Sequence, residues 1–209
     1  MATAIERLNE QILACKKCEL GQEQKTRVLG TGSSNPQAII VGEAPGEYEL
    51  KAGKPFSDPT APIITEALIE MGIPEERIWK TMLLKCPTPD HRDPKDREIR
   101  ACQQYLREEI RALNPRFIIA MGRSPAYFFT GIRKSVEDLR GKIRLYRQWP
   151  VIITYHPIGI LRFPFLKARL LQDLELIEEI SGFQKSNCLY LMRGQLESAL
   201  EALDGEKTS

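Results

Sequence analysis

The sequence predicts an α/β protein in which a parallel sheet is covered on both faces by helices. Three observations carry this. Short β-branched runs alternate with helical patterns along the 209 residues, as strand–helix–strand crossover units require. The runs are apolar throughout rather than at every second position, the mark of strands buried on both faces. The segments richest in Gly, Pro, His and charge follow the strands, which places them on one edge of the sheet, where ligands of such folds bind.

Taken in order, Ile5, Leu8, Ile12 and Leu13 recur at helical spacing, predicting an amphipathic helix over 4–14 that ends at Cys15. Residues 19–36 read as a polar loop. Ala38 to Gly42 (AIIVG) is the first buried strand, followed over 44–59 by a loop too long for a tight turn. A helix is expected at 61–72, stopped by Gly72 and Pro74, then a strand within Arg77–Lys85 and a proline-rich loop over 86–95. Asp96 opens a long helix to about Leu113, stopped by Asn114-Pro115. Phe117 to Gly122 is the third strand, with a short helix at 124–131, and Val151 to Tyr155 is the fourth, ending at His156-Pro157. A last helix spans 164–180. The expected division is one domain over 1–183 with a peripheral tail at 184–209.

Composition narrows the function classes. With 42% hydrophobic residues and 30 basic against 28 acidic side chains, the chain is large enough for a core without disulfides and is not a uniformly basic nucleic-acid coat. It holds no run of 18 apolar residues, and its first residues lack the build of a signal peptide, so an intracellular, cytoplasmic protein is expected. The near-neutral charge gives no reason to expect a large assembly, and a monomer is expected. In a reducing compartment the five cysteines read as ligands, nucleophiles or buried apolar residues.

Cys15-Lys16-Lys17-Cys18 is a close pair after a helix, and Cys86 and Cys102 follow on a loop and a helix. Four thiolates from these positions suit zinc or an iron–sulfur cluster, and the spacing does not choose between them. Unrelated core cysteines or a redox pair are the alternatives, though the pair precedes the first strand and so sits wrongly for a thioredoxin-like site. Cys188 has no assigned role.

Two segments carry the chemistry. Gly42-Glu43-Ala44-Pro45-Gly46 leaves a strand where backbone must pass close to a ligand, with Glu43 and Glu47 or Glu49 at its mouth; a solvated acidic loop is the bland alternative. His156 ends the fourth strand and is one of only two histidines. A neutral imidazole there can donate a hydrogen bond to a leaving group as charge develops, against the alternative of a structural histidine. The apolar stretch after it, closing on Leu161-Arg162, reads as a wedge into a base stack with a phosphate anchor, or as a helix cap.

Together these residues resemble the family-four uracil-DNA glycosylases over roughly residues 10–180. The resemblance rests on the order CxxC, Thr26-Arg27-Val28 with Gly30-x-Gly32, GEAPG, Gly53-Lys54-Pro55-Phe56, Lys85-Cys86, Arg92-Asp93-Pro94, Ala101-Cys102 and His156-Pro157 with Leu161-Arg162. It implies a three-layer α/β/α sandwich with a central four-stranded parallel sheet, and a [4Fe-4S] cluster held by Cys15, Cys18, Cys86 and Cys102. It implies base excision in DNA repair: a uracil flipped from DNA and its N-glycosidic bond hydrolysed, leaving an abasic site, in a nucleoid-associated protein. On this pattern Phe56 stacks on the flipped base, and His156 hydrogen-bonds the departing oxygen. Glu43, with Glu49 second, supports the sugar cation and its water. Gly42, Ala44 and nearby main chain help read the base edge, and Leu161 with Arg162 forms the wedge and phosphate loop. Lys16, Lys17, Arg92, Arg162 and Lys167 are candidates for a local basic edge.

Two departures stand out. Where the family carries an asparagine that reads the polar edge of uracil, this chain has Met82, whose thioether supplies neither amide donor nor amide acceptor. The family's Phe-Val-Gly-Arg-Ala-Gly run is here Phe56-Ser57-Asp58-Pro59-Thr60-Ala61, with Asp58 opposed in sign to a phosphate-binding role. His91 stands where ordinary members have asparagine and where one branch carries a histidine that traps the sugar covalently. The basic loop of that branch is absent, so three readings stay open for His91: a hydrogen bond to the base, covalent trapping, and a plain surface loop. A glycosylase-fold DNA-binding protein with weak or altered activity is the alternative to the enzyme.

Overall fold

A computed structural model describes residues 3–23 and 26–181; the expected tail and Cys188 lie outside them. In chain order the elements are α1 (Ala4–Leu13), α2 (Glu19–Glu23), β1 (Thr31–Gly32), β2 (Ala38–Gly42), α3 (Glu47–Ala52) and α4 (Ala61–Glu70). Then come β3 (Ile78–Met82), α5 (Asp96–Leu113), β4 (Phe117–Met121), α6 (Arg123–Thr130) and α7 (Val136–Leu139). The last are β5 (Ile143–Tyr146), β6 (Trp149–Thr154), α8 (Ile158–Arg162) and α9 (Leu166–Ser181).

The described strands form one sheet in the order β1-β3-β2-β4-β6-β5. Its four central strands pair in parallel, as expected. Two antiparallel edge strands, β1 and β5, extend it beyond the four that the sequence indicates. Successive side chains of a strand point to opposite faces, and β2 shows both faces covered. Ile39 and Val41 pack in one core with Leu8, Ile12, Leu106 and Ile110 of α1 and α5. Ala38 and Ile40 pack in the other with Ile64, Leu68, Leu170 and Leu174 of α4 and α9. The three-layer sandwich follows from that division.

The helices end where their chemistry says they should. Thr3 caps α1 through a reciprocal pair: its hydroxyl accepts from the Glu6 N–H at 3.1 Å, and the Glu6 carboxylate accepts from the Thr3 N–H at 2.6 Å. Asn114 closes α5 in the left-handed conformation, φ 43°. The long loop after β2 differs from expectation in holding α3, a helix of 6 residues.

One buried ion pair ties the segment leaving β3 to α5. The Lys85 ammonium donates to Glu109 Oε2 at 2.8 Å and to Thr81 Oγ1 at 2.6 Å, and the Thr81 hydroxyl donates to the same carboxylate at 2.9 Å. Both charged side chains are essentially sealed from solvent. Glu109→Leu strands an ammonium in the core and is expected to cost about 3–5 kcal/mol in denaturant unfolding. The double variant Lys85→Met/Glu109→Leu recovers most of that loss; equal damage in both would mean that the pair is not the cause.

Candidate active site

The parallel register sets Gly42 beside Met82 and Met121 beside Thr154, so the strand ends, and the segments leaving them, converge on one edge. Gly42 is required there by close approach. A Cβ on it would lie 2.4 Å from the Met82 sulfur and 3.1 Å from the Phe56 ring. Met82 and Phe56, both buried, therefore form an apolar floor over bare backbone.

A cavity of ≈ 280 Å³ opens on Met82, lined also by Ala44, Gly46, Asp58, His156 and Ile158; Phe56 lines a neighbouring cavity of ≈ 380 Å³ that shares Asp58 with it. The chain holds Phe56 at φ +52°, and Asp90 and His91 at φ +51° and +52°. These left-handed conformations cost a non-glycine residue about 1–2 kcal/mol each, and strain of this kind gathers at functional sites.

The carboxylates divide by role. Glu43, at the exit of β2, accepts from the Ser124 N–H in the first turn of α6 at 3.1 Å, through Oε2, where the helix dipole favours negative charge. Glu49 is buried and uses both oxygens on main chain, accepting from Gly46 N–H at 3.0 Å and Ser57 N–H at 2.9 Å. It fastens the GEAPG turn to the Phe56 segment. Glu47 and His91 sit at the rim, their side chains 71% and 69% exposed and 4.0 Å apart. Asp58, whose charge the sequence marks as unsuited to a phosphate, is 4% exposed and lines the cavity. Its Oδ1 accepts from the Thr60 N–H at 2.8 Å and from the Thr60 hydroxyl.

His156 stacks on Phe56, ring centroids 5.4 Å apart and planes 9° from parallel. The Ile158 N–H donates to its Nδ1 at 3.3 Å, so the neutral ring carries its proton on Nε2. Burial pushes the imidazole pKa below its ordinary 6.5 and outweighs the opposing carboxylates of Asp58, Glu49 and Glu43. The ring is therefore neutral at neutral pH, with an N–H available.

Beside the cavity, α8 buries Ile160 and leaves Ile158 and Leu161 exposed. The Arg162 guanidinium lies over the Phe163 ring, 5.9 Å from its centroid. Phe163 and Phe165, also exposed, extend this apolar ridge; sequence reasoning passed over them, although two aromatics directly after an expected wedge were a visible signal. Of the expected basic edge, Arg92 is held by the buried carboxylate of Glu98, at 2.9 and 2.5 Å. Arg123, Arg133 and Lys134, outside the expected basic edge, line a larger cavity of ≈ 490 Å³ that shares Ser124 with the Glu43 contact. Arg123 and Arg133 are ion-paired there with Asp93 and Asp96.

The four expected thiols lie together on the opposite face of the sheet from the Phe56 core. Cys15, Cys18, Cys86 and Cys102 line one cavity with Ile12, Leu20 and Tyr105. Among the described residues no three or more His, Cys, Asp or Glu are gathered as a single ion requires; the thiols surround a common space instead. Burial pushes the Cys86 thiol up to about 11, against the pull of Arg27, and the Cys102 thiol up to about 12, against the pull of Lys85. Buried sulfurs of this kind become thiolates only with a bound cationic centre to compensate them, so the donor set fits a metal–sulfur group. Arg27, from the Thr-Arg-Val motif, braces the site by donating to the carbonyls of Cys15 at 2.7 Å and Gly21 at 2.5 Å.

Comparison with known proteins agrees with this arrangement. The family model described as the uracil DNA glycosylase superfamily matches residues 29–175. A type-4 uracil-DNA glycosylase of Sulfurisphaera tokodaii is 34% identical over 187 residues, 85% of each chain. One of Archaeoglobus fulgidus is 32% identical over 180 residues, 82% of this chain and 90% of its own. A third, of Pyrobaculum aerophilum, is 36% identical over 178 residues, 81% of this chain and 91% of its own. With the strand order, the pocket at the strand ends and the four gathered thiols already in place, the match over most of its length means that the chain belongs to the uracil-DNA glycosylase superfamily, among its type-4 members.

Proposed function

We propose that this chain is a DNA-repair glycosylase that flips a uracil out of DNA and hydrolyses its N-glycosidic bond, releasing the base and leaving an abasic site. The observation that carries the reading is the near-parallel pair of Phe56 and His156 rings. A base stacked flat on Phe56 lies in a plane 9° from that of the imidazole. Where the base lies beside the imidazole on that same face of Phe56, the Nε2–H meets a base carbonyl near the plane of its lone pairs, the preferred direction. A neutral donor suits a leaving group that becomes anionic: the hydrogen bond strengthens as charge develops and no proton need be transferred.

The remaining roles follow from position. Flipping costs a few kcal/mol of stacking and pairing, and the exposed Leu161 is placed to fill the gap while Arg162 meets a phosphate. Glu43 faces the developing sugar cation, held by Ser124 so that its charge and a water can be aimed at the anomeric carbon. Glu49, with both oxygens committed to N–H groups, acts as a positioning residue, while Gly42 and Ala44 let the base approach main chain. Met82 and His91 border the pocket, the first as floor and the second at the rim.

Cys15, Cys18, Cys86 and Cys102 would hold a [4Fe-4S] cluster, which when bound cross-links α1, the loop after β3 and α5. Among the described residues no helix is long and apolar enough to cross a membrane, and the proposed partner is uracil-containing DNA.

The test is incubation of the purified protein with an end-labelled oligonucleotide carrying one uracil, followed by alkali and a denaturing gel. Cleavage at the uracil is expected, in single strands and in duplexes. Retained DNA binding with no alkali-labile product would leave a binding module in place of an enzyme.

A further inference from the structure

Met82 leaves a question that the proposed function does not answer: what reads the polar edge of the base. Six polar side chains line the cavity: Glu47, Tyr48, Glu49, Asp58, His91 and His156. Glu47, Tyr48 and His91 are exposed at the rim, where water competes for any hydrogen bond. Glu49 has both oxygens engaged by main-chain N–H groups. His156 is oriented by Ile158 to donate from Nε2. Asp58 remains. It is buried and lines the cavity, and both of its hydrogen bonds to Thr60 fall on Oδ1, so that turn does not use Oδ2.

We infer that Asp58 is the specificity-determining residue of this pocket, its Oδ2 accepting the ring N–H of the flipped base in place of the missing asparagine. The inference rests on the proposed glycosylase reading and sharpens it. A carboxylate accepts and does not donate. It therefore selects bases with an N–H on the pairing edge: uracil at N3, and hypoxanthine or xanthine at N1. Cytosine offers a lone pair at N3, which the carboxylate repels, so cytosine is rejected by charge; thymine and guanine carry the same N–H and are not discriminated by this contact. The Thr60 cap fixes the carboxylate before substrate arrives, as a selective site needs. Asp58 also gives a physical reason for the altered run after Phe56: the loop that lost both of the family's glycines gained the acceptor that Met82 removed.

The test compares free uracil with 3-methyluracil, which lacks the N–H, as inhibitors of excision. The wild-type protein is expected to bind uracil at least about tenfold more tightly, the scale of one hydrogen bond to a charged group. Asp58→Leu, similar in bulk but without an acceptor, brings the two inhibitors to parity. Asp58→Asn keeps an acceptor and keeps the preference. Thr60→Val, which disturbs the same turn but spares Oδ2, also keeps it. A preference unchanged in Asp58→Leu, or lost equally in Asp58→Asn and Thr60→Val, overturns the role of Asp58. A wild-type protein indifferent to the methyl group does so too. Absence of excision by the wild-type protein would instead remove the glycosylase reading itself.

Discussion

His156→Ala lowers single-turnover uracil excision by about 10²–10³-fold, the usual effect of deleting one donor aimed at a developing oxyanion. Binding of DNA that carries an abasic site changes far less, because the imidazole acts on charge that exists only in the transition state. Quenched-flow cleavage and fluorescence anisotropy separate the two. Equal loss in both would assign His156 to binding alone.

The pH dependence has a definite sign. Burial holds the imidazole pKa below 6.5, so the neutral donor persists from neutrality down through that value. The His156 contribution changes on the acid side, as pH passes through the lowered pKa: protonation of Nδ1 breaks the Ile158 N–H contact that orients the ring, and the rate falls. Asp58 is the leading charge opposing the shift, so Asp58→Asn moves the acid limb to still lower pH. Stability follows the same linkage. Below 6.5 the unfolded chain binds a proton that the folded protein does not yet take up, and stability declines from there toward the lowered pKa.

The second large effect concerns the thiols. Cys102→Ser and Cys86→Ser are expected to abolish bound iron and visible absorption. Both should lower the melting temperature by roughly 10 °C, the shift that about 3–4 kcal/mol makes in a chain of this size. Both positions are buried at the junction of α5 with the loop after β3, where a lost cross-link is not replaced by water. Metal analysis decides the chemistry: about four irons per chain are expected. Stoichiometric zinc, or unaltered stability in both variants, would contradict the assignment.

How much of this was legible in the sequence varied with the physical signal. The buried strands AIIVG and FIIAM announce themselves because a strand covered on both faces must be apolar throughout. β5 does not: its sequence IRLY sits at the sheet edge with partly exposed side chains, where charge protects against further pairing and also hides the pattern. β1 has 2 residues and exists through its pairing with β3, a tertiary fact. Helix α2, of 5 residues, is too short to show a period.

The site divides similarly. The residue types at the strand ends could be read, but not which partners each carboxylate takes. Glu43 and Glu49 look equivalent in sequence; only the fold shows Glu49 spent on two amide hydrogens. Asp58 was visible chiefly as an oddity of charge. Its short spacing to Thr60, a common capping turn, was the available hint that it would turn inward. The partnership of Lys85 with Glu109 spans 24 residues of sequence and had no local signature.

The most direct measurement is the identity of the product. Single-stranded DNA with one deoxyuridine is incubated with the protein and the whole mixture is resolved by mass spectrometry. Free uracil is expected, with an intact strand lighter by the base and with water added at the sugar. A strand of unchanged mass would contradict this, and so would a protein–DNA adduct that disappears in His91→Ala.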